Sequence, residues 1–312
     1  MTSARMLPFA LCHRHCIAAK ENERMSDTTR LAARNAEVRL DGVLLELVAR
    51  LLALAEMGNN GDGWVTAEDC RRILPEPPEE RRDVWRAAVV SLAQRYGHLS
   101  ILLPESADYP ELLLRTGHAP AFLFVRGSLN GDGDNSIAVV GSRRASRQSM
   151  TAAREIASVL ASAGVTIISG LARGVDTASH RGALSADGHT TAVMGTGIDV
   201  VFPPENRDLA EQIASRGAVV SQFPPGLRPS KTSFPVRNAV IAGLARASLV
   251  VEAEEVSGTR IEMDYALEFG RPVLLWAPVM GKRPWARSLA SDNDAVHLVC
   301  STSEIYDFID QR

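Results

Sequence analysis

The sequence predicts a doubly wound α/β domain, a Rossmann-like parallel sheet, with a small helical domain ahead of it. Three observations carry this. From residue 137 onward, apolar runs of four or five residues alternate with amphipathic segments of helical length. The runs are apolar throughout, not at every second position, which marks strands covered on both faces. Glycine and serine collect where the runs give way to the amphipathic segments, as strand-to-helix turns require. Right-handed crossovers then place helices on both sides of a parallel sheet.

In chain order, residues 1–37 are expected to be a disordered tail. The apolar stretch at 7–12 runs into His13, Arg14 and His15 without a small-residue cleavage site, so no secretory signal is expected, and Met25 offers a second start. The crowded Cys12-His13-Arg14-His15-Cys16 cannot close a zinc tetrahedron without strain. Residues 38–100 read as a helix-turn-helix-like domain. Its first helix, 38–57, carries Leu40, Leu44, Leu47, Leu51 and Leu54 at helical spacing. The second, 66–74, opens on Thr66 as N-cap, and the third, 78–96, sets Val84, Trp85, Ala88, Val89 and Leu92 on one face. Between the first two, Asn59-Asn60-Gly61-Asp62-Gly63 has half the look of a calcium loop, but Gly58 would fill the first ligand position without a side-chain oxygen. The third helix opens on Glu79, Glu80, Arg81, Arg82 and Asp83, a mixed face that suits a protein partner or the chain's own sheet better than a DNA groove.

The α/β domain is expected over 105–312. Its strands are 137–141, 165–168, 191–194, 218–221, 248–252 and 272–276, and its helices 150–163, 175–186, 206–215, 238–245 and 261–269.

Charge and cysteine usage narrow the functional classes. With 34 basic and 37 acidic side chains the net charge is -3, which excludes a generally basic nucleic-acid coat and confines any polyanion site to a local patch. Cys12, Cys16, Cys70 and Cys300 are too scattered for a disulfide scaffold and suit a reducing cytoplasm. The richest apolar stretch, 44–54, is broken by Glu46 and Arg50 and is too short to span a bilayer. A cytoplasmic chain without a membrane segment is expected.

In such a sheet, ligands bind beyond the carboxyl ends of the strands. The first strand is followed there by Gly141-Ser142-Arg143-Arg144, where a small residue allows close approach and guanidiniums can pair with phosphate. The second leads into Ser169-Gly170-Leu171-Ala172-Arg173-Gly174, a glycine-flanked turn into a helix whose free N–H groups attract anions. Gly195-Thr196-Gly197 follows the third strand and Ser257-Gly258-Thr259 the fifth. Any one such loop is ordinary turn chemistry. Four on one edge, two with arginine, make a phosphate site. The first strand is not followed by Gly-x-Gly-x-x-Gly, and no phosphate-binding Gly-x-x-x-x-Gly-Lys-Ser/Thr occurs, so neither a dinucleotide dehydrogenase nor a P-loop ATPase is expected. No cofactor or metal is expected.

The run 168–184, with Ser169-Gly170-Leu171-Ala172-Arg173-Gly174-Val175-Asp176 at its head and His180 within it, closely resembles the signature of the DNA-processing protein A (DprA/Smf) family. The resemblance continues through Gly195-Thr196-Gly197-Ile198-Asp199, Phe202-Pro203-Pro204-Glu205-Asn206-Arg207, Gln222-Phe223-Pro224-Pro225-Gly226, Phe234-Pro235-Val236-Arg237-Asn238 and Ile241-Ala242-Gly243. Upstream, Tyr109-Pro110-Glu111 and Phe124-Val125-Arg126-Gly127 look like the short extension that precedes the fold in that family. The resemblance implies a non-catalytic bacterial protein of the cytoplasm that binds single-stranded DNA. It also implies association with a RecA-type recombinase, protection of incoming DNA during transformation, and a homodimer. The matching DNA-binding positions are Ser142, Arg143, Ser169, Gly170, Arg173, Arg237 and Asn238, on loops that also contain Gly141, Gly174, Gly195, Gly197, Ser257 and Gly258. Asp176 and His180, one helical turn apart, are expected to brace the phosphate loop.

Three departures from the family pattern open other readings. Residues before 100 do not resemble its helix-hairpin-helix module, and no winged helix follows residue 312, so a reduced member is expected. Glu262 stands where the family usually has a small or hydroxyl residue. A reduced member could serve instead as a partner-binding component of a defence or toxin–antitoxin locus. Alternatively, Gly258-Thr259-x-x-Glu262 matches the end of the Lonely Guy-type phosphoribohydrolase motif, with Glu262 acting in N-glycosidic cleavage. The plain counterpart is a glutamate on a helix surface.

Overall fold

A computed structural model describes residues 42–58, 77–97, 99–129 and 135–310. The tail at 1–37, the cluster at 12–16, the turn at 59–63 and the helix expected at 66–74 lie outside the described residues.

The apolar runs become strands. β1 (Leu99–Leu102) and β2 (Leu123–Gly127) come first, followed by β3 (Ser136–Gly141), β4 (Thr166–Ser169) and β5 (Thr190–Val193). β6 (Ala218–Ser221), β7 (Ala247–Glu252), β8 (Val273–Trp276) and β9 (Val296–Val299) complete one sheet, in the order β1-β2-β6-β5-β4-β3-β7-β8-β9. From β6 across to β9 every neighbour is parallel. β1 and β2 add antiparallel beside β6. The expected Rossmann-like parallel sheet is thus present from β6 to β9, and β1 and β2 make the whole sheet mixed. Residues 124–127 pair with β6, so the backbone of β2 closes what would otherwise be an open edge, and Leu123 and Phe124 are fully buried there. An antiparallel edge on an otherwise parallel sheet is a common solution.

The helices are α1 (Gly42–Gly58), α2 (Glu79–Arg95), α3 (Glu111–Leu114), α4 (Arg147–Ser162), α5 (Val175–Ser185) and α6 (Arg207–Arg216). They continue with α7 (Ser233–Leu244), α8 (Gly258–Glu268), α9 (Ala277–Met280), α10 (Pro284–Asp292) and α11 (Thr302–Ile309). Two residues of β3 show the layering. Val139 packs with Ile156 and Leu160 of α4, Val175 of α5 and Ile305 of α11. Val140 points the other way, into a cluster with Val240 of α7 and Met263 of α8. A third cluster joins Val48 and Leu52 of α1 and Val89 and Leu92 of α2 to Phe122, Phe124 and Ile213 of the sheet region. The N-terminal helices thus share a core with the α/β fold. Glu46 of α1 also binds Arg82 (2.8 Å) and Arg86 (2.5 Å) of α2.

Three helices start earlier than expected: α4 opens at Arg147, behind its Ser146 cap. α7 opens at Ser233, since Pro235 is tolerated in a first turn where the N–H has no partner to lose. α8 opens at Gly258. β9 was not expected, because 296–299 mixes buried Val296 and Val299 with exposed Leu298 over only four residues.

Candidate nucleic-acid interface

The strand order reverses between β3 and β7, so their carboxyl ends frame the switch-point crevice. The backbone there is tightly held. Ser142 N donates to Glu252 O (2.7 Å) and Val175 N to Ser142 O (3.3 Å). A Cβ on Gly141 would lie 2.6 Å from Val175 Cγ2, so only glycine lets β3 approach α5 this closely. Ser146 caps α4 by accepting from Ser149 N, and its own N–H donates to the Glu252 carboxylate (2.9 Å). Partial burial would raise Glu252, but hydrogen bonds from Ser149 and Ser146 and the charge of Arg283 hold it below the usual carboxylate range. Between these anchors Arg143 and Arg144 are exposed.

The loop after β4 is equally constrained. Leu171 is fully buried with φ 58°, a left-handed conformation that costs a non-glycine residue about 1–3 kcal/mol. Asn206 Nδ2 holds it there by donating to Leu171 O (2.9 Å) and Thr177 Oγ1 (2.8 Å). Asp176 accepts from Ala172 N (3.2 Å), and Ser169 Oγ donates to Val139 O (2.7 Å). Gly174 has φ 75°, and a Cβ there would sit 2.2 Å from Ser142 O. Arg173 emerges from this loop, exposed and ion-paired with Glu205.

Arg237 lies beneath the loops. It is 4 % exposed, and its Nη1 donates to Gly170 O and Val193 O, both at 2.6 Å. Its Nε donates to Asn238 Oδ1 (3.1 Å), while Asn238 Nδ2 donates to Gly258 O (3.0 Å). Two adjacent residues of α7 therefore tie the loops after β4 and β7 to the end of β5. Burial pulls Arg237 down to about 10, which leaves it a cation at neutral pH. Asp176 is its buried counter-charge; burial raises that carboxyl and Arg237 opposes the rise. His180 has a separate partner. Its Nδ1 lies 2.7 Å from Thr190 Oγ1, whose own proton goes to Ile167 O. Burial first, then Arg237, lowers His180 to about 3, so the ring is neutral.

Like Gly141 and Gly174, three further expected site glycines face protein groups. A Cβ on Gly170 would meet the Arg237 guanidinium, one on Gly195 the Phe234 ring, and one on Gly197 Pro224 O, each at 2.6 Å. Gly258 has open space around it. The neighbouring Ser257 hydroxyl donates to Glu254 O (2.9 Å), beside the acidic Glu252, Glu254 and Glu255. Arg283 pairs with Glu254 (2.6 Å). The loop edge is thus electrically divided: exposed arginines after β3 and β4, carboxylates after β7.

Glu262 is not on a helix surface. It is 1 % exposed and accepts from Ser248 Oγ (2.6 Å), on the inward stripe of α8 with Met263 and Ala266. Burial, reinforced by Asp176, pushes its carboxyl up to about 7 against the pull of Ser248 and Arg237. Two aromatic rings also belong to this edge. Phe234 lies under Arg143 (4.7 Å to the ring centre), with Phe202 beside it at 6.0 Å between centres. Their place in motifs on this edge was the available signal. Among the described residues, no group of three or more His, Cys, Asp or Glu side chains could hold a metal ion, and no helix is long and apolar enough to cross a membrane.

The profile of the DNA recombination-mediator protein A family matches residues 100–309, from β1 through α11. The chain belongs to this family. Protein Smf of Synechocystis sp. is 42% identical over 176 residues, 55% of this chain and 44% of that protein. The DNA processing protein DprA of Streptococcus pneumoniae is 42% identical over 180 residues, 58% of this chain and 62% of its relative. The solved structure of DprA from that organism superimposes with a TM-score of 0.63 at 29% identity, covering 85% of this chain and 93% of the other. DNA processing protein A of Helicobacter pylori, described for a unique single-stranded DNA binding mode, gives 0.59 at 22% identity over 67% of this chain and 94% of its own. At that identity the last likeness shows the fold. The chain spans between 44% and 62% of the length of the two sequence relatives of the DNA recombination-mediator protein A family named here.

Proposed function

We propose that the chain is a non-catalytic DNA-processing protein that binds single-stranded DNA across the carboxyl ends of β3, β4 and β5. The observation that carries this reading is the pair of exposed arginines, Arg143 and Arg173, on two loops bonded to each other through Ser142 and Val175. Phosphates would meet Arg143 and Arg173, which gives affinity without sequence preference; the first turn of α5 already donates to Ser142 O and Ala172 O and would hold the loop instead. Ser142, Ser169, Gly170, Gly174, Arg237 and Asn238 would shape that surface, with Arg237 as its rigid floor. The carboxylates after β7 would repel a polyanion, so the strand would run on the β3–β6 side, and Ser257 and Gly258 would flank it at most. The Helicobacter pylori relative, described as a single-stranded DNA binder, supports the reading by fold. A recombinase partner, a homodimer and a cytoplasmic site of action extend it.

Glu262 supplies the glycosidase alternative with no carboxyl at the sheet edge, since it is closed from solvent and bonded to Ser248. Fluorescence anisotropy with single-stranded and duplex oligomers tests the proposal. Preference for the single strand, lost in Arg143→Ala/Arg173→Ala, is expected. A double variant that binds as the parent does would refute the assignment.

A further inference from the structure

Phe202 stands out among the rings of this edge. It is 36 % exposed, one of few large apolar side chains that the described residues leave open to solvent. It is not covering a gap in the core, because Phe234 is its ring neighbour and Pro203 beside it is already buried. Phe234 itself is occupied: the guanidiniums of Arg143 and Arg237 lie 4.7 and 5.7 Å from its centre. Phe202 is the more exposed ring of the pair.

Its surroundings say what could use that face. Arg143 lies over Phe234, the ring neighbour of Phe202. Glu205, three residues along the chain from Phe202, holds Arg173. An exposed apolar ring whose neighbours hold two exposed cations matches one chemistry in particular, a flat nucleobase whose flanking phosphates are anionic. A protein partner's apolar side chain would need a wider greasy patch, whereas the exposed residues that follow Phe202 along the chain are Pro204, Glu205 and Arg207.

We infer that Phe202 is the platform on which one base of a single strand stacks, while Arg143 and Arg173 hold the phosphates on either side. The inference deepens the single-strand reading and rests on it. Stacking selects for an unpaired base but not for its identity, because every base has a π-face and only an unpaired one can leave its neighbours to lie on the ring.

The test compares an oligothymidylate with an abasic oligomer of equal length, using the full chain and the variants Phe202→Leu and Phe202→Trp. The parent chain is expected to prefer the oligothymidylate. Phe202→Leu should lose about tenfold on it, the scale of one stacked base, and nothing on the abasic strand. Phe202→Trp should retain affinity, with its indole emission quenched as oligothymidylate is added. Thermal unfolding of Phe202→Leu, expected to match the parent, separates lost stacking from lost structure. Equal binding of both oligomers by the parent, or an unchanged Phe202→Leu, overturns the inference and leaves the single-strand reading standing. A parent chain that binds neither oligomer overturns both.

Discussion

Arg237 Nη1 lies 2.6 Å from Gly170 O, and that contact makes the guanidinium part of the scaffold under the loops. The same nitrogen reaches Val193 O, so one side chain joins the ends of β4 and β5. Arg143, by contrast, is open to solvent and lies over the face of Phe234. Two arginines that look alike in sequence are therefore expected to fail differently.

Arg237→Ala should cost about 3–5 kcal/mol of folding stability, the scale of breaking a buried charge pair, because Asp176 loses its counter-charge and two carbonyls lose their donor. Arg143→Ala should stay within about 0.5 kcal/mol of the parent, as exposed substitutions do. Urea unfolding of both variants measures the contrast. Comparable losses in the two would place Arg237 at the surface and contradict its burial.

Glu262 should make stability depend on pH in a defined window. Its folded pKa is raised from an ordinary 4.5 to about 7, so the folded chain keeps this proton to higher pH than the unfolded chain. The stabilisation of the neutral carboxyl is full below about 4.5 and is lost as pH climbs towards 7. Glu262→Gln removes that titration. It should gain on the parent across the window, by about 2–3 kcal/mol in all at roughly 1.4 kcal/mol per pH unit. His180 has the opposite sign: lowered from 6.5 to about 3, it favours folding at higher pH and loses that contribution as pH falls through the interval. His180→Asn should accordingly be less acid-sensitive than the parent. Denaturant midpoints at pH 4.5, 6 and 8 read both effects. A constant gap between Glu262→Gln and the parent would mean that the carboxyl is solvated.

The two glycines Gly174 and Gly258 should part ways. Gly174→Ala places a Cβ 2.2 Å from Ser142 O at a positive φ and should destabilise the fold by about 2 kcal/mol or more. Gly258→Ala meets open space at the start of α8 and should be neutral within about 0.5 kcal/mol. Thermal midpoints distinguish them, and an equally tolerated Gly174→Ala would rule out the tight contact between the loops after β3 and β4.

Much of this was legible in the sequence because a strand buried on both faces needs an uninterrupted apolar run. Ile137, Val139 and Ile167 announce β3 and β4 in that way. The antiparallel edge was not, since Phe124 and Val125 pair with β6 across almost a hundred residues, and no local pattern encodes that partner. The loops of the candidate site could be read from glycine, serine and arginine after strands. Whether each arginine faces solvent could not, because the burial of Arg237 depends on α7 closing over β4 and β5. Glu262 could have been placed better: it shares a helical stripe with Met263 and Ala266, and that spacing already points it inward.

Glu205 and Arg173 form a surface ion pair that would compete with a phosphate for the same guanidinium. Glu205→Gln should therefore raise affinity for single-stranded DNA by about threefold at low salt, a modest gain in keeping with an exposed pair. Anisotropy titrations check it. Weaker binding would mean that Glu205 positions Arg173 and does not mask it.

The most direct test of phosphate binding by Arg143 and Arg173 is the salt dependence of single-stranded DNA affinity, parent against Arg143→Ala/Arg173→Ala. Each phosphate contact on a single strand contributes about 0.7 to the slope of log affinity against log salt. If both arginines hold phosphates, the slope of the double variant should be shallower by about 1.4. A slope identical to that of the parent, in a double variant that still binds, would show that the strand lies elsewhere on the molecule.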